Sequence, residues 1–322
     1  MKDTEYAYAV AHIRAYEDML LSDGDLEQMI AAPDVQTALK HLADKGWTGE
    51  DKKSIRDILN GRLCDAYALV KESAPDKDAI EILTVRNDFN NLKAALKSLA
   101  ADIDPTDCYI YPTTLDLNAL KKLLAEKRYG ELPEGMSYVA KKAYDILVRS
   151  MDGQRCDICV DKFTLRHMQK IAEKTDNELV SEYVSAFVAL TDIKTAYRCT
   201  KTGKERDFIY DAICGGSELD KLELIDAAAN GTNELLAYIS SHGYEDAASK
   251  LAEGIEAFEK YADDKLTQIT DAAKYSSFGV GPLMAYYLAM ETSVKCARII
   301  LECKAMNVDE KTIRERMREM YV

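Results

Sequence analysis

Residues 278–301 read FGVGPLMAYYLAMETSVKCARIIL, a stretch that could be a phosphate-binding loop, a membrane anchor or an ordinary helix. The uncharged run from Phe278 to Met290 has 13 residues, whereas a helix that spans a bilayer needs roughly 20. Beyond it, charged side chains recur at helical spacing at Glu291, Lys295, Arg298 and Glu302. A different face carries Tyr286, Met290, Ser293, Ala297 and Ile300. The stretch therefore predicts an amphipathic helix with one buried face.

The glycines of this stretch do not match a nucleotide-binding motif. Gly279 and Gly281 are followed by Met284 where a third glycine would be required, and no Gly-Lys-Ser/Thr follows. We expect the two glycines to form a turn and Pro282 to start the helix at its first position, where the missing amide has no cost.

The rest of the chain shows the same preference for helix. Among 322 residues there are only 6 prolines, none of them between Pro133 and Pro282, and helices tolerate proline poorly. No segment alternates apolar and polar residues in the manner of a strand. The sequence predicts an all-α fold, with helix starts at Thr48–Asp51, at Pro75–Asp76 and at Ser217 after Gly215–Gly216.

The chain also resembles itself at a period of about one hundred residues. The segments DFNNLKAAL from Asp88, DIKTAYRC from Asp192 and SVKCARII from Ser293 correspond, with offsets of 104 and 101 residues. Three helix openings also correspond: DLEQMI from Asp25, DLNALKKL from Asp116 and DKLELI from Asp220.

A second pair of similar segments is separated by close to twice this period. LKHLADKGW ends at Trp47 and LAYISSHGY ends at Tyr244, 197 residues later, and both close a helix with glycine and an aromatic residue. These matches predict three pseudo-equivalent helical units, at residues 1–104, 105–215 and 216–322.

The net charge and the amino-terminal sequence restrict the possible binding partners and the cellular compartment. Acidic residues outnumber basic ones by 56 to 42, for a formal charge of −14, which repels nucleic acid and anionic lipid. The opening MKDTEYAYAVAHIRAYEDMLL has no basic region followed by an apolar run, so we expect a cytoplasmic protein. The eight cysteines fit no disulfide framework and are expected to be reduced.

Catalytic and metal-binding patterns are weak. Cys156 and Cys159 form a lone C-x-x-C, whereas a structural zinc site needs four ligands, and no βαβ context surrounds the motif as in redox proteins. The four histidines lie far apart in the sequence and form no HExxH motif. We therefore expect no catalytic residue, no cofactor and no metal; a thiol or metal enzyme that uses Cys156 and Cys159 is an alternative.

The chain as a whole resembles the C subunit of prokaryotic V-type/A-type ATPases, the counterpart of the d subunit of eukaryotic V-ATPases. The most specific matches are at the carboxyl end: the turn at Phe278, Gly279 and Pro282, then Arg298 with Ile300, Ile313–Arg314 and Tyr321–Val322. Further matches are IRAYEDMLL from Ile13, the cluster of Asp88, Asn91 and Lys93, Pro133 with Gly135, and VDKF from Val160.

This resemblance implies a funnel-like, non-catalytic adaptor of three helical units in the central rotor. It would seat the tip of the axle and rest on the membrane proteolipid ring, at the inner face of the membrane, in a machine for ATP-coupled proton or sodium transport. The resemblance implies contacts to the axle around Asp88, Asn91, Asp192 and Arg298. The later units depart from this pattern. Thr195 in the second unit and Cys296 in the third stand at the position of Asn91, and Ser293 in the third unit stands at the position of Asp88.

A general helical-repeat scaffold that binds another protein is the main alternative. Short tandem repeats would recur at about 34 to 45 residues, whereas the similarity found here recurs near one hundred.

Overall fold

The computed structural model describes residues 3–47, 54–133, 135–216 and 218–322. Throughout these ranges the chain forms helices and no strand, which confirms the predicted all-α class. The α-helices are α1 (Ala7–Arg14), α2 (Asp23–Ala31), α3 (Val35–Asp44), α4 (Ile55–Ser73), α5 (Val85–Ala101), α6 (Leu117–Ala125), α7 (Met136–Ser150), α8 (Gly153–Thr175), α9 (Glu178–Lys201), α10 (Arg206–Ala212), α11 (Lys221–Asn230), α12 (Thr232–Ser241), α13 (Glu245–Glu253), α14 (Ile255–Asp271), α15 (Gly281–Ala305) and α16 (Glu310–Glu315).

Contacts divide the chain into two compact units, with one boundary just before α5 and the other inside α14. The first unit combines residues 1–83 with residues 259–322, and the second comprises residues 84–258. The predicted three units describe sequence repeats rather than contacts, and that division stays a prediction.

In the first unit, α15 is the central element, because α1, α2, α3 and α4 all pack on it. Its predicted apolar face is confirmed: Tyr286, Met290, Ser293, Ala297 and Ile300 are all buried. On the opposite side Lys295, Arg298 and Glu302 are exposed. Burial of this long stripe is the main source of stability for such a helix.

The turn before α15 also matches its prediction in outline. Gly279 has a φ of +81°, a conformation that glycine adopts without steric cost. The helix begins at Gly281, so Pro282 is its second residue rather than its first. Both are buried, so this helix start is not open to a phosphate.

In the second unit, α8 contacts α5, α7 and α9, and α9 in turn contacts α11 and α12. The interruptions between these long helices are short. α7 ends at Ser150 and α8 begins at Gly153, with Asp152 as its N-cap, while Asn177 caps α9. None of the helices in the described ranges is long and apolar enough to cross a bilayer.

The predicted helix starts had mixed outcomes. Ser54 caps α4 by accepting a hydrogen bond from the amide of Asp57; Thr48–Asp51 and Ser217 lie outside the described residues. The prediction of a regular helix from Pro75–Asp76 was wrong, because residues 78–83 form a 3₁₀ helix and α5 begins only at Val85. Four of those six residues are buried, and 3₁₀ helices are typically short connecting segments of this kind beside α-helices.

Candidate functional site

Three of the four predicted interface residues lie inside the second unit and bind the backbone of its loops. On α5, Asp88 accepts hydrogen bonds from the backbone amide of Thr114 at 2.9 Å and from its hydroxyl at 2.6 Å. The hydroxyl of Thr113 also donates to this carboxylate. Asn91, one turn later, exchanges two hydrogen bonds with the backbone of Ile110, at 2.8 and 2.9 Å. α5 thereby fixes the segment that leads into α6.

Asp192 makes the corresponding contact on α9. Its two carboxylate oxygens accept hydrogen bonds from the backbone amides of Cys214 at 2.9 Å and Gly215 at 2.7 Å. Burial raises the pKa of this carboxyl, and the two amide hydrogen bonds oppose that rise. Asp192 holds the loop that precedes α11, whose N-cap is Asp220.

Ser293 on α15 makes a third contact of this kind, in the first unit. Its hydroxyl oxygen accepts a hydrogen bond from the backbone amide of Leu21 at 3.2 Å, and Leu21 directly precedes Ser22, the N-cap of α2. Asp88, Asp192 and Ser293 are the residues that the sequence repeat aligns. We call their contacts the three loop anchors, since each ties a long helix to the chain entering a short one.

The loop partners themselves were not predicted, although the sequence carried a signal for them. The three short helices entered by these loops are α2, α6 and α11, which were predicted as corresponding openings. Their caps differ in register: Asp116 and Asp220 are N-caps, whereas Asp25 lies three residues after the N-cap Ser22 and completes a capping box with it.

The exposure of the predicted interface residues separates them into two groups. Asp88, Asn91 and Asp192 are at most 5% exposed, and their polar atoms bind the protein's own loops. Arg298 is exposed on α15, and it has no hydrogen bond or ion pair within the described residues. Of the four, only Arg298 is exposed. The contact role of the other three stays a prediction.

The carboxyl-terminal segment, which carries the most specific part of the resemblance, is held against α14. The guanidinium of Arg318 donates to Asp263 at 2.9 Å, and the backbone amide of Glu319 donates to Asp264 at 2.8 Å. The Lys260 ammonium donates to the carbonyl of Met317. These contacts fix the last residues of the chain in the first unit.

The structure argues against a reactive thiol at Cys156 or Cys159. Cys156 and Cys159 both lie on α8, are buried, and form no disulfide. Burial, together with the charge of Asp157, raises the pKa of Cys156 to about 12, and burial also raises the pKa of Cys159. Reactive thiols require the opposite shift. Across the described residues, no group of His, Cys, Asp and Glu side chains could hold a metal ion.

Comparison with known proteins confirms the family resemblance along nearly the whole chain. The family model described as ATP synthase (C/AC39) subunit matches residues 9–316. The C subunit of the V-type sodium ATPase of Enterococcus hirae is 23% identical over 96% of this chain and 97% of its own. The C subunit of the A-type ATP synthase of Methanocaldococcus jannaschii is 23% identical over 96% of this chain and 85% of its own. The C subunit of the V-type ATP synthase of Thermus thermophilus is 21% identical over 68% of this chain and 70% of its own. The chain belongs to the ATP synthase (C/AC39) subunit family.

Proposed function

We propose that this chain is the non-catalytic central-rotor adaptor of a V/A-type rotary ATPase. It seats the central axle and links it to the membrane proteolipid ring, for transport of protons or sodium coupled to ATP. The observation that carries the proposal is the family match over residues 9–316. The protein needs no cofactor for this task, and nucleic acid is not among its partners.

The loop anchors support the proposed division into three units, at residues 1–104, 105–215 and 216–322. Asp88, Asp192 and Ser293 follow one another at one sequence period, and each binds the segment that precedes a short helix, α6, α11 and α2 respectively. A repeat that preserves a buried polar contact at each period is harder to obtain by chance than a repeat of apolar residues, because such a contact needs a matched partner. Three such units would form the funnel of the adaptor.

Two further features suit a part that transmits torque between unlike partners. Long helices packed at interior density resist deformation, and buried hydrogen bonds to the connecting loops keep the corners of the fold in one conformation. In this proposal Asp88, Asn91 and Asp192 hold the loops of the fold and do not contact the axle, while Arg298 contacts the axle at its surface.

The protein would work on the cytoplasmic side, at the inner face of the membrane, as a peripheral part of the complex. A pull-down of the tagged protein from native membranes tests this directly. We expect ATPase head subunits and proteolipid subunits to be recovered together. Recovery of neither, with another protein bound instead, would reject the adaptor and favour the general helical scaffold.

The contact assigned to Arg298 is tested by charge reversal. We expect Arg298→Glu to weaken binding of purified axle protein by about three- to tenfold, since exposed charges at an interface contribute modestly. Lys311→Glu makes the same charge change on α16, where the side chain is 87% exposed, and serves as the matched control. If Arg298→Glu and Lys311→Glu bind the axle equally well, Arg298 does not contact it.

A further inference from the structure

A groove of about 780 Å³ in the second unit has a charge opposite to that of the chain as a whole. It lies between α7, α8 and α10, and its lining contains seven basic and two acidic side chains. The whole chain has 42 basic and 56 acidic residues. Such a concentration of cations in an acidic protein favours an anionic ligand.

The cations extend along both walls of the groove. Lys141 and Arg149 line it from α7, and Arg155, Lys162 and Arg166 line it from α8. At 1.5 Å per residue, the α8 series from Arg155 to Arg166 covers roughly 16 Å. A ligand that engages the whole series must therefore be elongated.

Two of the groove lysines have a structural role. The Lys162 ammonium donates to the carbonyls of Tyr210 and Asp211, both at 3.1 Å. The Lys221 ammonium donates to the carbonyl of Ile213 at 2.7 Å. These contacts satisfy carbonyl groups at the end of α10, where cations are favoured.

The same two lysines also crowd each other. Their ammonium groups lie 5.5 and 4.5 Å from the centroid of the Tyr210 ring. The pKa of Lys162 is lowered to about 8. Burial is the largest cause, and the neighbouring Lys221 is the next. An anion placed near this pair would relieve the repulsion between the two ammonium groups.

Capping of α10 does not account for the remaining cations. Lys141, Arg149 and Arg166 are exposed, and none of them forms an ion pair with a carboxylate in the part of the chain that the structure describes. They are available to a ligand that enters the groove.

The aromatic content of the groove argues for a polypeptide ligand. Tyr138 is 64% exposed and Tyr210 46% exposed, and the rings of Tyr138 and Phe163 lie 5.4 Å apart. Exposed aromatic side chains beside cations are typical of protein interfaces. A single phosphate group would engage only one end of the cation series, and a concave recess fits a flat lipid surface poorly.

We propose that the groove between α7 and α8 docks an acidic segment of a partner protein, whose carboxylates pair with Lys141, Arg149 and Arg166. This proposal does not depend on the adaptor function, because the charge and length of the groove define the partner's chemistry.

The test uses the full chain and a fluorescent glutamate-rich peptide of about ten residues that also contains leucine, measured by anisotropy at physiological ionic strength. The groove variant combines Lys141→Glu, Arg149→Glu and Arg166→Glu. The control variant combines Lys40→Glu, Lys122→Glu and Lys170→Glu, three exposed lysines outside the groove, and changes the net charge equally.

We expect the groove variant to bind the peptide at least about tenfold more weakly than the wild type, because three charge pairs are reversed. The control variant should stay within about threefold, and the same peptide with glutamine in place of glutamate should not bind. Absent binding, or equal weakening in both variants, would overturn the proposal. So would groove-dependent binding of inorganic phosphate or phosphatidylserine vesicles without binding of the peptide. A failed pull-down of ATPase subunits would leave this result unaffected.

Discussion

At the scale of single residues, Asp25 is the clearest case of a carboxylate stabilised by its neighbours. It accepts hydrogen bonds from the amide and hydroxyl of Ser22, at 2.9 and 2.6 Å. It also forms a hydrogen bond with the His41 ring at 3.1 Å and an ion pair with the Lys45 ammonium at 3.0 Å. Burial by itself would raise the pKa of Asp25, but these hydrogen bonds outweigh it and hold the pKa at about 2.

The lowered pKa gives a prediction with a defined sign. Because the folded pKa lies below the unfolded value, which is about 3.9, the ionised Asp25 stabilises the fold above that value, and the contribution is lost as the pH falls towards about 2. Asp25→Asn should reduce the free energy of unfolding at neutral pH by about 1–2 kcal/mol, as measured by urea unfolding. The difference from wild type should shrink at about pH 3.

Asp23→Asn is the matched control, because Asp23 is exposed in the same first turn of α2. Its effect should be small at both pH values. A stability difference for Asp25→Asn that stays constant or grows on acidification would show that the carboxylate is not the source of the stabilisation.

At the scale of elements, α3 and α12 end in the same way, as their matching sequences predicted. After α3, Gly46 has a φ of +79°, and the amide of Trp47 donates to the carbonyl of Leu42 at 2.9 Å. After α12, Gly243 has a φ of +85°, and the amide of Tyr244 repeats this five-residue contact at 3.0 Å. Glycine is required here because other residues adopt positive φ only with strain.

Equal geometry predicts equal effects of substitution. Gly46→Ala and Gly243→Ala should each lower the free energy of unfolding by about 1 kcal/mol, measured by thermal or urea unfolding. An added Cβ meets only one atom, at 3.6 Å, at Gly46 and nothing within 4 Å at Gly243, so the effect is conformational rather than steric. Gly130, whose added Cβ also meets nothing within 4 Å, lacks a positive φ, and Gly130→Ala should be nearly neutral. Unequal effects at the two helix ends would argue against their equivalence.

The sequence predicted these elements because their signals are local. Periodicity on α15 and the Gly-aromatic ends need only neighbouring residues, and both were confirmed. The 3₁₀ helix at residues 78–83 was missed, since its buried residues have the same spacing that one face of an α-helix would give. The partners of Asp88 and Asp192 were also missed. These carboxylates bind loops 22 to 26 residues away, and although the corresponding helix openings mark where those loops end, no residue pattern identifies the backbone amides that are bound.

At the scale of the whole molecule, the loop anchors occur in both compact units. Two of them, at Asp88 and Asp192, lie in the second unit, and the anchor at Ser293 lies in the first. The anchors differ in strength, because a buried carboxylate that accepts several hydrogen bonds is replaced in the third repeat by one hydroxyl with a 3.2 Å contact. Charged hydrogen bonds are roughly twice as strong as neutral ones.

This difference predicts a graded loss of stability. Asp192→Asn leaves one buried backbone amide of the 214–215 loop without an acceptor and should lower the free energy of unfolding by about 2–3 kcal/mol. Ser293→Ala removes a single neutral hydrogen bond and should lower it by about 1 kcal/mol. Urea unfolding followed by circular dichroism measures both. Losses in the reverse order would mean that the two contacts are not versions of one anchor.

Binding measurements on the same variants distinguish an anchor from a contact residue. At a temperature where circular dichroism shows Asp192→Asn fully folded, its affinity for purified axle protein should equal that of the wild type, because Asp192 is 2% exposed and both carboxylate oxygens bind the 214–215 loop. Asp88→Asn should likewise keep the affinity of the wild type for the axle. Arg298→Glu should bind the axle more weakly, while its free energy of unfolding stays unchanged. If folded Asp192→Asn binds the axle more weakly, the polar residues of the repeat act on the axle itself, as the sequence resemblance implies, and the loop contact is secondary.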